Sequence, residues 1–220
     1  MSPARSSVEI ISRRLEQKLV GFNIASEEQR GPLKHVSTQR IFGYGSLVSQ
    51  RSIEIPIQSC KPSQITGFRR VWREPFTRQD RTYVGLALQA DDAAPPIAGV
   101  TLEFGETDLP YIYNREKSYR HIVVDAVDQA GNVDSTITFE GLALPRGKAV
   151  IPVSYLAVVL YGFEDIFGAA GPDLFASETS GWEQGVALDI ERPVYPRAPA
   201  NLASLAKRYL PLIERYSHID

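Results

Sequence analysis

An α+β domain, a small mixed β-sheet or barrel with helices gathered on one side, is the fold class that the order of the elements predicts. Strand-like runs rich in β-branched and aromatic residues fill the middle of the chain from Arg40 onward, and helical periodicity dominates after Ser154. The regular βαβ alternation of a nucleotide fold is missing. The first strand of the series, Ile41-Phe42-Gly43, empties into Tyr44-Gly45-Ser46 before the chain turns apolar again, so its backbone can approach a ligand closely.

In chain order, residues 1–39 read as a helical N-terminal extension and linker to a domain over 40–220. Val8, Ile11, Leu15, Leu19 and Phe22 recur at helical spacing between charged residues, which predicts an amphipathic helix over 7–20, and 26–38 read as a loop. After the strand at 41–43 come expected strands over 65–74, 83–89 and 97–104, the last two joined by a hairpin-type connection at Gln89–Pro96. Alternation along 68–73 puts Phe68, Arg70 and Trp72 on one face, so Arg70 is expected beside two aromatic rings. A short helix capped by Thr107 should end near Glu116. Strands at 119–125 and 136–144 follow, joined by a turn at 128–132. Helices are expected over 154–170, closed by Gly171-Pro172, then over 173–180 and 201–216. The proline-rich stretch 192–199 should wrap the surface in extended form.

Composition narrows the function. The 220 residues are 43% hydrophobic and 10% aromatic, ordinary for one globular core, and 24 basic residues nearly cancel 26 acidic ones. No global field steers such a chain to nucleic acid or to an anionic membrane, so a small molecule is the expected partner. The N-terminal residues hold no uninterrupted apolar run, and Cys60 is the only cysteine, which fits a reducing, cytoplasmic setting. Cys60 has no histidine near it in sequence to activate it as a nucleophile.

Several chemistries lack their signatures. His35, His121 and His218 are scattered, with no metal-ligand spacing. Gly43-Tyr44-Gly45-Ser46 lacks both the third glycine of a dinucleotide loop and the Gly-Lys-Ser/Thr of a phosphate loop, and Ser46 has no nucleophile elbow around it. A glycine-rich loop and a carboxylate remain.

Three segments in order, Phe42-Gly43-Tyr44-Gly45-Ser46-Leu47, Gly67-Phe68-Arg69-Arg70-Val71-Trp72 and Arg115-Glu116-Lys117-Ser118-Tyr119-Arg120, resemble the gamma-glutamylcyclotransferase superfamily, most closely its ChaC-like branch. The resemblance covers residues 41–125. It implies a gamma-glutamylcyclotransferase-like barrel, Glu116 as the catalytic acid/base, and Tyr44, Gly45, Ser46 and Leu47 around a gamma-glutamyl group. It also implies release of 5-oxoproline without a cofactor or metal, as in glutathione metabolism.

Residue chemistry agrees with that mechanism. The substrate's α-amine is already tethered to the γ-carbonyl it attacks, so proximity comes with binding and the enzyme adds proton handling. Partial burial should raise the pKa of Glu116. Tyr119 is a further candidate for a substrate hydrogen bond, although it stands three rather than four residues after Glu116. Arg70 can reach a substrate carboxylate or form a structural salt bridge, and Arg115 and Lys117 read as solvated flanks. The chain departs from the ChaC pattern at 77–82 and in its C-terminal segment, where Thr179-Ser180-Gly181-Trp182 and Tyr195-Pro196-Arg197-Ala198 resemble a less characterised group of bacterial cyclotransferase-like proteins. Two other readings stay open: a non-catalytic binding protein for a gamma-glutamyl or other small acidic ligand, and acyl transfer onto the amine of a larger acceptor.

Overall fold

A computed structural model describes residues 40–220. The expected helix over 7–20 and loop over 26–38 lie outside the described residues. In chain order the strands are β1 (Arg40–Gly43), β2 (Ser59–Ile65), β3 (Phe68–Arg78), β4 (Arg81–Ala90), β5 (Ile97–Glu103), β6 (Arg120–Asp128), β7 (Val133–Glu140), β8 (Ile151–Pro152), β9 (Thr179–Ser180) and β10 (Val186–Ala187). The helices are α1 (Leu109–Arg115), α2 (Val153–Phe167), α3 (Gly171–Ser177) and α4 (Leu202–Tyr216).

Five strands close into a barrel in the order β1-β5-β2-β6-β7, and a parallel contact at Ile41 and Ile137 joins β7 back to β1. Thr138 reinforces the seam, donating from Oγ1 to the Phe42 carbonyl over 2.9 Å. Closure leaves these strands no open edge. The β3–β4 hairpin extends from β7 as an arm, and β9 adds to its outer side. Gln79 and Asp80 turn that hairpin with φ of 52° and 58°, the left-handed pair that a two-residue loop needs to match strand twist. The departure seen at 77–82 is therefore a tight turn.

Several boundaries differ from those expected. The run 65–74 is two strands rather than one, because Gly67 turns at φ 80° and its carbonyl accepts from Asp91 N. Only Ile65, the last residue of β2, falls within an expected strand; Ser59–Gln64 were not foreseen. Gln89–Pro96 is no hairpin: β4 pairs with β3 and β7, and β5 with β1 and β2, so the segment crosses between different parts of the sheet. Asp108, not Thr107, stands at the N-cap of α1. Gly168, at φ 72°, stops α2, and Gly171-Pro172 open α3 instead of closing the helix before it.

Helices α2, α3 and α4 pack on one another, with Leu156, Val159, Leu160 and Phe163 of α2 fully buried. A Cβ on Gly162 would come within 2.5 Å of the Ser49 amide nitrogen, so α2 runs directly over the turn that follows β1. Glycine permits that approach.

One buried cation ties these layers together. Arg70 on β3 has no exposed surface; its Nη1 donates to the carbonyls of Tyr44, at 2.9 Å, and Ala98, at 3.2 Å. Its Nη2 donates to Glu178 Oε2 at 2.8 Å, and the same oxygen accepts from Ala98 N. The guanidinium lies over the rings of Phe163 and Phe175, 4.9 and 4.7 Å from their centroids. Burial pulls its pKa down to about 10, still charged at neutral pH, with Glu178 opposing the shift. Removing one partner strands a buried charge, which costs about 3–5 kcal/mol. Glu178→Ala is expected to lower unfolding stability by about 3 kcal/mol in chemical denaturation; a loss below about 1 kcal/mol would show that Arg70 does not depend on this pair.

Candidate active site

The loop after β1 is fixed at several atoms. Tyr44 gives its carbonyl to Arg70 and donates its hydroxyl to the Phe139 carbonyl over 2.6 Å, while Ser52 Oγ donates to the Ser46 carbonyl, also over 2.6 Å. Residues Ser46–Val48 form a 3-10 turn whose first internal bond is Val48 N to Gly45 O. The amides of Ser46 and Leu47, ahead of that bond, have no partner within the turn.

Gly45 must be glycine for reasons of space. A Cβ there would stand 2.9 Å from the Tyr155 hydroxyl and 3.3 Å from Leu86 Cδ1. Tyr155, near the start of α2, is thereby held hard against the loop. Burial raises its pKa, so the hydroxyl stays protonated and able to donate, although hydrogen bonds with Ser46 oppose the rise.

Arg115 brings the carboxylate to the loop. Its Nη1 donates to the Ser52 carbonyl at 2.7 Å and its Nη2 to Ser46 Oγ at 3.0 Å, while its Nε lies 2.9 Å from Glu116 Oε1. The Arg115 side chain is only 5% exposed. The expectation of a solvated flank is corrected: one guanidinium spans the loop, the segment after it and the carboxylate, and its neighbours exclude water. Lys117 is exposed, as a flank should be.

Glu116 sits just past the last residue of α1, its side chain 14% exposed. Burial raises its pKa, and Arg115, Arg197 and His121 counter part of the rise. The C-terminal end of a helix adds nothing to stabilise the anion. The result is a carboxyl that can both take and return a proton.

Glu116 and Tyr44, Gly45, Ser46 and Leu47 line one recess of ≈ 20 Å³, room for about one water. Beside it lies a cleft of ≈ 240 Å³ that shares Ser46, Glu116, Tyr119 and Tyr155 with the recess. Tyr119 is in both, but its hydroxyl donates to the Leu86 carbonyl at 3.0 Å, so it meets a ligand only as an acceptor. Arg70 is in neither. As a substrate-binding candidate it is corrected: its Nη1 and Nη2 are taken by Tyr44, Ala98 and Glu178, its Nε is buried without a hydrogen-bond partner, and its guanidinium lies over the rings of Phe163 and Phe175.

The outer wall comes from residues that no local signal marks. Asp189 accepts from Ser154 N at 2.9 Å and from Val194 N at 2.8 Å, and Tyr195 N donates to Ser154 Oγ at 3.1 Å. These bonds pin the proline-rich stretch to the start of α2. Tyr195 then meets Tyr155 edge-on, ring centroids 4.9 Å apart, and Arg197 faces the cleft. Among the described residues no group of three or more His, Cys, Asp or Glu is placed to hold a metal ion.

No family model matches the sequence, and no curated protein matches it. Solved structures do. A gamma-glutamyl cyclotransferase aligns over 77% of this chain and 98% of its own, with 12% identity and a TM-score of 0.53. An uncharacterised protein from Homo sapiens aligns over 69% and 95%, with 16% identity and a TM-score of 0.52. YkqA from Bacillus subtilis aligns over 61% and 51%, with 19% identity and a TM-score of 0.50. At such identities the likeness defines a fold, and the fold is that of gamma-glutamyl cyclotransferase.

The contact between Gly45 and Tyr155 is open to a double-mutant cycle. Gly45→Ala is expected to destabilise by about 1–3 kcal/mol through overpacking. Adding Tyr155→Phe should recover at least half of that loss, since it removes the clashing oxygen. Additive losses would show that the hydroxyl is not what confines the loop.

Proposed function

We propose that this chain is a cofactor-independent enzyme that cyclises a gamma-glutamyl substrate to 5-oxoproline and releases an amine, amino acid or peptide, with Glu116 as general acid/base. The observation that carries the reading is the shared recess: a buried, raised-pKa carboxyl faces the same small space as the Tyr44–Leu47 loop. The loop motif and the Arg-Glu-Lys segment favour the ChaC-like branch among proteins of this fold.

In the proposed reaction the ionised Glu116 takes a proton from the substrate's α-ammonium. The freed nitrogen attacks the γ-carbonyl carbon, and the oxygen of that carbonyl gains the charge. Amide groups of Ser46 and Leu47, and the protonated Tyr155 hydroxyl, are the donors nearest to hand for that oxyanion. The bond to the departing nitrogen then breaks as Glu116 returns its proton there. The carboxylate so regenerated takes the second proton from the ring nitrogen and passes it to the released amine, so both protons that the α-ammonium loses end on the departing amine and the reaction balances without an added acid or base.

Purified protein is expected to release 5-oxoproline from at least one member of a panel of gamma-glutamyl amino acids, peptides and amines. Glu116→Gln should lower kcat/KM by roughly 10²–10⁴-fold with the circular-dichroism spectrum and Tm retained. A panel without product would overturn the reading; a ligand-induced rise in Tm without product would mark a binding protein instead.

The pH profile follows from the same carboxyl. Glu116 must be ionised to take the first proton, so kcat/KM should fall as pH drops through its folded pKa. Because burial raises that pKa, the acid limb should lie above the ordinary glutamate value of about 4.3. Arg115→Met removes the leading influence that opposes the rise and should move the limb to higher pH. A limb that moves down, or stays in place, would contradict the assignment.

A further inference from the structure

A larger cavity, ≈ 390 Å³, lies between the segment after the loop, the outer face of α2 and the start of α4. That volume is within the range of small-molecule sites. Arg51 and Arg197 face it with Glu54, so two cations stand against one carboxylate, and Tyr161, Val158 and Leu205 supply an apolar wall.

The two guanidinium groups differ. Arg197 is partly engaged: its Nε lies 3.4 Å from Glu54 Oε1 and its Nη2 donates to Tyr111 Oη at 3.2 Å. Arg51 is exposed, rests 4.7 Å over the face of Tyr161, and forms no ion pair among the described residues. A guanidinium resting over a ring, without an ion pair among the described residues, is suited to a carboxylate.

This cavity is continuous in residues with the candidate active site. Arg197 lines both this space and the cleft of Glu116, and its charge acts on the Glu116 carboxyl. Ser52 of this cavity and Ser46 of the loop are bridged by the single guanidinium of Arg115. On the cyclotransferase reading, a substrate with its glutamyl end at the loop reaches this cavity by passing the Arg197 side chain that borders both spaces.

We propose that this cavity receives the departing part of the substrate and selects one that ends in a carboxylate, an amino acid or short peptide rather than a simple alkylamine, with Arg51 as the specificity-determining residue. The inference rests on the cyclotransferase reading above and names its substrate class.

The test compares gamma-glutamylalanine with its C-terminal amide. Wild-type protein is expected to favour the acid by about tenfold or more in kcat/KM, as one charge-assisted contact gives. In Arg51→Ala that ratio should fall toward one, mostly through KM, with Arg51→Lys between the two. A wild-type ratio near one, or a ratio that survives in Arg51→Ala, overturns the specificity inference while leaving the cyclotransferase reading intact. If neither compound is turned over, that reading fails, and calorimetry with the free dipeptide alanylglycine and its amide decides the cavity separately. Binding of the acid that is lost in Arg51→Ala supports the cavity as a carboxylate site; no binding overturns it.

Discussion

The guanidinium of Arg70 is the constraint on which the rest of the domain depends. It has no contact with solvent, and its hydrogen bonds reach the loop after β1, the start of β5 and the end of α3 at once. Each of those elements closes a different part of the chain, so the arginine fixes loop, barrel and helical layer relative to one another. The aromatic faces of Phe163 and Phe175 supply a low-dielectric shell in which its bonds are strong and their loss is costly. A short glycine loop cannot hold its shape by packing alone. Here its carbonyl at Tyr44 is held from beneath, which leaves the leading amides of the 3-10 turn ahead of their first internal bond.

Arg115 plays the corresponding part above the loop. By bonding Ser46, Ser52 and Glu116 it sets the distance between the glycine turn and the carboxyl, and its charge limits how far burial can raise the Glu116 pKa. Two opposed effects thus act on one group. Desolvation favours the protonated carboxyl and makes its anion a stronger base, while the neighbouring guanidinium favours the ionised form. Arg197 adds to the same balance from the outer wall, so the proline-rich stretch that carries it bears on the charge of the carboxyl as well as on the shape of the cleft.

How much of this was legible in the sequence depends on how local each cause is. The turn at 44–47 was legible because glycine, tyrosine and serine interrupt an apolar run, and Glu116 because its neighbours form a recognisable segment. Arg115 was misread as a flank, since only the bonds to Ser46 and Ser52, more than sixty residues away, reveal its burial. Tyr155 and Arg197 reach the cleft only through the packing of α2 and the Asp189 anchor, contacts without a sequence period. Strand β2 reads Ser-Cys-Lys-Pro-Ser-Gln-Ile, poor in β-formers, and exists because β5 and β6 pair with it on either side. The crossing at 89–96 carries the same Asp and Pro residues as a hairpin would; which strands it joins is decided by barrel closure.

A crystal structure with 5-oxoproline bound tests the central assignment most directly. The expected result places the ring carbonyl oxygen on the amides of Ser46 and Leu47 and a Glu116 carboxyl oxygen about 2.6–3.2 Å from the ring nitrogen. A ligand seated at the loop with Glu116 separated from that nitrogen by more than one bridging water would contradict it.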